Sequence, residues 1–258
     1  MHASLLLVSA LSASVCAAPT FPTISADTAV PDGINAVADY FNLLATKVQE
    51  SRLLDKAPAC DLSQAVLPSS SLPPPSPGVR LKHIAIGRGT QNYTCSTGNP
   101  SDAPKAIGAL ATLFNASCLA TTDLDLASAL ARAALRFDLT QSQTAQKLVP
   151  SDLAVSGRHF FLGDGTPFFD LDVSPTWQLG ELPCAKNGSA PAPADAPKGL
   201  NGEPAVPWLK LTAKQGATGG LQEVYRVKTV GGSAPATCEG MAASFEVQYA
   251  ALYWFYAK

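Results

Sequence analysis

Five cysteines, Cys60, Cys95, Cys118, Cys184 and Cys238, stand far apart in the chain behind an apolar leader. The leader runs through Leu5-Leu6-Leu7-Val8 and then small residues up to Val15-Cys16-Ala17-Ala18-Pro19. It is too short to span a bilayer, and it ends as a secretory signal does. Residues 1–18 therefore read as a signal peptide cut after Ala17 or Ala18, although Lys and Arg are missing ahead of the apolar run. Export takes the thiols into an oxidising compartment, where disulfides are the first expectation. No Cys-x-x-Cys pair offers a zinc clasp. The odd count leaves one thiol over, and spacing alone leaves the connectivity open. Three sequons, at Asn92, Asn115 and Asn187, fit the same secreted, extracellular destination. Asn187 is the most accessible by context, with Gly and Pro around it.

The chain has 258 residues, of which 47% are hydrophobic, enough to bury a sizeable core. Charge is sparse at 15%, and 18 basic against 20 acidic residues leave a net charge of -2. That balance supplies no drive toward nucleic acid or an anionic membrane surface. No later segment is long and apolar enough for a membrane helix.

Residues 19–78 read as an N-terminal helix and a Pro-rich linker, and 79–258 as a β-rich domain. Ile34, Val37, Phe41, Leu44 and Val48 recur at helical spacing over 32–52, with Asp32 placed to cap. Leu72-Pro73-Pro74-Pro75-Ser76-Pro77-Gly78 is incompatible with helix or central strand and reads as an extended linker. Val79–Ile86 alternates as a strand. Gly87-Arg88-Gly89 reads as a break, with a strand resuming over Thr90–Cys95, and Leu110–Cys118 reads as another strand. Residues 122–136 carry Leu126, Leu130, Ala134 and Leu135 on one helical face, with Asp123 and Asp125 in the first turn. Asp164-Gly165 between apolar runs signals a hairpin. Residues 185–206, rich in Ala, Pro and Gly, read as a surface loop. Strands over Val206–Thr212, Leu221–Val230 and Phe245–Tyr256 close the chain. In the last, Phe245, Val247, Tyr249, Ala251, Tyr253 and Phe255 share one face. Leu252, Trp254 and Tyr256 make the other face apolar as well, so this end is expected to be buried on both sides. The sum is a mainly β protein: one β-sandwich or barrel-like domain with two accessory helices.

Four strings in this order carry a family resemblance. They are Gly87-Arg88-Gly89-Thr90-Gln91-Asn92-Tyr93-Thr94-Cys95, Trp208-Leu209-Lys210-Leu211, Tyr225-Arg226-Val227 through Thr229-Val230-Gly231-Gly232-Ser233-Ala234-Pro235, and Tyr253-Trp254-Phe255-Tyr256. Over residues 60–258 the chain resembles the secreted fungal and bacterial family called domain of unknown function 3455. The resemblance implies a Cys95–Cys238 bridge, Cys60 with Cys118, and Cys184 as the odd thiol. It brings no activity, and the malate dehydrogenase label that some members carry does not suit these residues. A dinucleotide fingerprint needs Gly-x-Gly-x-x-Gly between strand and helix, but Asn92 holds the third position and a strand follows.

Candidate chemistry is thin, and no cofactor motif is present. Beyond the leader the histidines are His83 and His159, too few for a three-His zinc site. His83 lies mid-strand and reads as structural. His159, near Asp164 and Asp170, could serve as a general acid or base oriented by a carboxylate. No spacing selects a glycosidase pair from Asp164, Asp170, Asp172, Glu181 and Glu223. No Gly-x-Ser-x-Gly elbow occurs. Arg88 and Gln91 form a candidate binding pair for a carboxylate or sugar. Tyr93, Trp208, Tyr225 and Trp254 could stack on a sugar but suit a core equally. The sequence thus points to a non-catalytic secreted module that binds an extracellular glycan or protein. Its alternative is an extracellular hydrolase using His159 with Asp164 or Asp170.

Overall fold

The computed structural model describes residues 32–54, 60–138 and 146–258. The leader and the cleavage site lie outside them. Eight strands form an antiparallel meander that closes on itself: β1 (Arg80–Thr94), β2 (Lys105–Asn115), β3 (Val155–Phe161), β4 (Pro167–Ser174), β5 (Trp177–Ala190), β6 (Trp208–Ala213), β7 (Leu221–Gly231) and β8 (Ser244–Ala257). The seam joins β1 to β8 from Arg80↔Ala257 to Thr94↔Ser244. Of the sandwich and the barrel, the chain therefore adopts the barrel. Among the described residues, closure gives every strand a partner on each side, so the sheet has no edge strand.

Side-chain alternation divides the residues between two apolar clusters. Inside the barrel pack Ala85, Leu113, Phe169, Leu182, Val224, Tyr249, Tyr253 and Phe255. Outside it, Ile84, Ile86, Phe114, Val227, Leu252 and Trp254 lie against helices. β8 serves both clusters, which is why its end is apolar on both faces, as expected.

Gly87 and Gly89 do not break the first strand. β1 runs straight through them, because the barrel wall needs their missing side chains. A β-carbon at Gly87 would sit 2.4 Å from the Tyr253 ring, and one at Gly89 would sit 1.8 Å from the Leu110 carbonyl oxygen. The Gly89 contact is with backbone, so relief would require the β1–β2 ladder to move. Gly89→Ala is expected to cost about 3 kcal/mol, the upper end of ordinary overpacking, measurable by urea unfolding.

Two further expectations change. The run to Cys118 is a strand only as far as Asn115; the chain then turns into α2 (Ser117–Thr122). Asn115 Oδ1 accepts the Ser117 amide at 3.1 Å and sets that turn. The expected loop over 185–206 begins later, because β5 continues to Ala190 and pairs with β6, Ser189 opposite Leu209.

α1 (Asp32–Ser51) and α3 (Leu124–Ala134) are the two longer helices among the described residues. Asp123 caps α3, its Oδ1 accepting the Leu126 amide at 2.8 Å. In α1 the buried face is turned from the expected one. Ala36 and Tyr40 are buried, with Leu43 and Leu44 beside them, whereas Ile34, Phe41 and Val48 are about half exposed. The small Ala36 face admits close approach to α3, and Lys47–Asp123 and Arg132–Asp39 ion pairs flank the contact at 3.1 and 3.2 Å. The Asp32 cap lies outside the described side chains.

The Pro-rich segment is a strap docked on the outer wall of β6 and β7. Tyr225 donates to the Pro73 carbonyl and Lys210 to that of Pro74, each at 2.8 Å. The Ser76 amide donates to Glu223 at 3.2 Å. Lys210 and Glu223 pair at 3.1 Å, both almost wholly buried. Prolines suit this role, since a strap with few amide donors leaves few of them unsatisfied. Tyr225→Phe should cost about 1 kcal/mol and speed proteolysis within 72–78 while the barrel stays intact.

Two disulfides fasten outlying segments to the barrel. Cys60–Cys118 ties the chain after α1 to α2, and Cys95–Cys238 ties the end of β1 to the segment between β7 and β8. Cys184 is a free thiol buried inside the barrel, and burial pushes its pKa up.

Candidate functional site

His159 does not meet either carboxylate named beside it. On β3, His159 points into the barrel, stacked on Phe169 with centroids 4.1 Å apart. Its Nδ1 donates to the Phe168 carbonyl at 2.9 Å. Burial, with the charge of Arg226 acting the same way, lowers its pKa to about 4 against that hydrogen bond. Asp170 pairs across the ladder with Arg158, the residue before His159, and so belongs to the outer face. Asp164 is committed to its turn: it accepts the Thr166 amide at 2.9 Å and the Thr166 hydroxyl at 3.0 Å. An acid–base set of His159 with Asp164 or Asp170 is therefore not assembled; strand alternation separates its members.

Arg88 and Gln91 are parted for the same reason, being three residues apart in one strand. Arg88 faces outward, is buried, and donates to Gln248 Oε1 and to the Ala134 carbonyl closing α3, the latter at 3.4 Å. It locks the helix end to the barrel. Gln91 faces inward, where its Oε1 accepts from Arg226 at 3.3 Å. Trp208, Tyr225 and Trp254 belong to the outer apolar cluster rather than to an exposed platform.

The structure does bring Arg158 and Asp170 together in an open groove outside β2. That groove holds about 600 Å3 and is lined by Thr112, Val155, Arg158, Asp170 and Asp172 among others. A second groove of about 450 Å3 lies alongside, with Arg88, Arg136, Glu246 and Gln248. The two share Leu110, Ala111 and Thr112, so one depression follows the outer face of β2. Its lining alternates guanidinium donors, carboxylate acceptors and apolar carbon. Leu110, half exposed, forms part of its floor. Asp170 and Asp172 are held in place, Asp170 accepting the Asp172 amide at 2.9 Å and Asp172 the Gly180 amide at 2.7 Å. Sequence reasoning named Asp170 and Arg88 but not Arg158. Its signal was the ladder partnership with Asp170 across the predicted hairpin.

His83 is structural. Its two ring nitrogens lie 3.0 Å from Ser117 Oγ and 2.9 Å from Ser156 Oγ, and burial lowers its pKa to about 4. Among the described residues no cluster of three His, Cys, Asp or Glu side chains could hold a metal, and no helix is long and apolar enough to cross a membrane. Of the sequons, Asn187 is exposed on β5 at a register shift, whereas Asn92 and Asn115 are half-buried. Ser117 of the Asn115 sequon is buried against His83.

Residues 75–257 match the model of a family described as a protein of unknown function, DUF3455. The chain belongs to that family. No curated protein and no solved structure matches it. The DUF3455 match takes in all eight strands and the last prolines of the strap, but neither α1 nor Cys60. The Cys60–Cys118 bridge thus fastens a flanking helix to the DUF3455 barrel. The barrel also answers the dehydrogenase label, because Gly87-Arg88-Gly89 lies within a strand rather than at a strand-to-helix turn.

Proposed function

We propose that this DUF3455 protein is an exported, non-catalytic module whose outer groove over β2 binds an extracellular glycan. The observation that carries this reading is the Arg158–Asp170–Asp172 lining of an open groove. Carboxylates held by backbone amides accept sugar hydroxyl protons, guanidinium groups donate to sugar oxygens, and Leu110, Val155 and Val173 face sugar carbon. The leader, the two bridges and the sequons support the extracellular setting. With His159 turned inward and Asp170 outward, the alternative hydrolase set of His159 with Asp164 or Asp170 is not assembled among the described residues, which leaves binding as the better supported reading.

Co-sedimentation with insoluble chitin, β-1,3-glucan and cellulose tests the proposal. The full exported protein should pellet with at least one of them. The Arg158→Ala/Asp170→Ala double variant should lose binding at least tenfold, with unfolding changed by no more than about 0.5 kcal/mol, as expected of partly exposed positions. Wild-type protein left in the supernatant with all three polymers would overturn the reading.

A further inference from the structure

A separate cavity lies on the outer side of the barrel beside β7. It holds about 240 Å3 between α3 at Ser128, the segment 193–197, Trp208 at the start of β6, and Lys228 and Val230 of β7. It shares no lining residue with the β2 groove. Its walls are tied in place. The Thr229 hydroxyl donates to the Val206 carbonyl at 2.7 Å, the Gly231 amide to the Pro197 carbonyl at 3.1 Å, and the Ala196 amide to that of Pro193 at 2.9 Å. A site fixed before binding loses less freedom on taking a ligand.

Two donors in the lining have no partner. Trp208 is 4% exposed, and its Nε1 makes no hydrogen bond. A buried indole N–H normally finds an acceptor. The unpaired nitrogen alone would say little, since those of Trp177 and Trp254 are unpaired too; Trp208 also lines a cavity. Lys228 is the second donor. It is half-buried, and among the described residues no carboxylate forms an ion pair with it. Asp195, the acid in the lining, is exposed. The backbone bulges at Lys228. Val227 pairs with Leu252 and Val230 with Ala250, so β7 advances three residues while β8 advances two. Lys228 has a φ of +49°, a left-handed conformation uncommon for a residue with a side chain. Bulges of this kind re-aim side chains, and such strain gathers at binding sites.

We propose that this cavity binds a small aromatic carboxylate of one ring, such as benzoate or cinnamate. Both spare groups are donors and one carries a full positive charge, so the ligand must bring acceptor oxygens and negative charge. The hydroxyls of Ser128 and Thr229 already donate to the Leu124 and Val206 carbonyls. Pro193, Pro197, Val230 and the Trp208 ring supply apolar carbon to flank a ring. The volume lies below the roughly 300–1,000 Å3 of sites that take drug-sized ligands, which limits the occupant to one ring. With no residue in common, this site and the β2 groove can fail separately.

The test is calorimetric titration of the protein with sodium benzoate and sodium cinnamate at constant ionic strength. Sodium acetate, which lacks the ring, and benzyl alcohol, which lacks the charge, are the controls. Saturable binding of benzoate or cinnamate is expected, at least tenfold tighter than either control. Lys228→Asn removes the charge while asparagine tolerates the left-handed backbone, so this variant should fold and bind at least fivefold more weakly. The indole N–H proton resonance that disappears in Trp208→Phe should shift when benzoate is added to wild type. Should Trp208→Phe not fold, the Lys228→Asn comparison decides alone. Absence of saturable binding of either acid, or equal affinity in Lys228→Asn, overturns the site. Acetate binding as tightly overturns the ring, and benzyl alcohol binding as tightly overturns the carboxylate.

Discussion

Acidification from pH 7 to pH 4 is expected to remove about 6 kcal/mol of stability, half of it through each of two histidines. Burial lowers both His83 and His159 from 6.5 to about 4. The unfolded chain binds these protons near pH 6.5, whereas the folded one stays neutral until near pH 4. Stability is therefore whole above pH 6.5 and falls as the pH drops toward 4. A tenfold difference in proton affinity between the folded and unfolded chain is worth about 1.4 kcal/mol, which amounts to about 3 kcal/mol per histidine. The carboxyls of Asp61, Asp152 and Asp164 are held below their ordinary value by hydrogen bonds from Ser63, Lys147 and Thr166, so they act at lower pH. Urea midpoints between pH 7 and 4 check this. His83→Gln, which can keep a bond to Ser117 or Ser156, should roughly halve the slope. A slope unchanged in that variant would mean that His83 is not the buried neutral group described.

Replacing Cys95 and Cys238 by serine should be as damaging. Their bridge closes a sequence separation of 143 residues. Chain entropy puts its loss at about 5 kcal/mol, or roughly 10–20 °C in Tm for a chain of this size. The loss should be felt locally too. The bridge holds the segment after β7 against the barrel end, together with Cys95 N–H to the Ala243 carbonyl and Cys238 N–H to that of Asp102. Amide exchange in β1 beyond Gln91 and in β8 before Tyr249 should accelerate before the rest of the barrel. Dithiothreitol should destabilise the wild type further than the double-serine variant, which among the described residues has just the Cys60–Cys118 bridge left to lose. A double-serine protein with wild-type Tm would remove the bridge from the account.

What could be read in advance follows from the range of the interactions. The two-faced burial of β8, the Asp164-Gly165 hairpin and the apolar helix within 122–136 are local patterns, and all three appear; that Asp123 caps this helix rather than sitting in its first turn came from the structure. Closure into a barrel rests on β1 meeting β8 across most of the chain, which no local pattern carries. Gly87 and Gly89 looked like a break because glycine weakens strands; their reason is a distant ring, Tyr253, and the crowded β2 backbone. The parting of Arg88 from Gln91, and of His159 from Asp170, was legible in principle, since an odd spacing along a strand or a ladder offset by one puts side chains on opposite faces. Arg226 was legible in the same way. It shares the alternation of Val224, which makes it a cation at an inward position. The groove was less so, because β1, β2, β3, β4 and the end of α3 converge on it only in the folded chain.

Peptide mapping of the protein without reduction tests most directly the claim that two cross-links fasten outlying segments to a closed barrel. The account predicts peptides joined through Cys60–Cys118 and Cys95–Cys238, with Cys184 alkylated only after unfolding. Any other pairing, or Cys184 within a bridge, would contradict it.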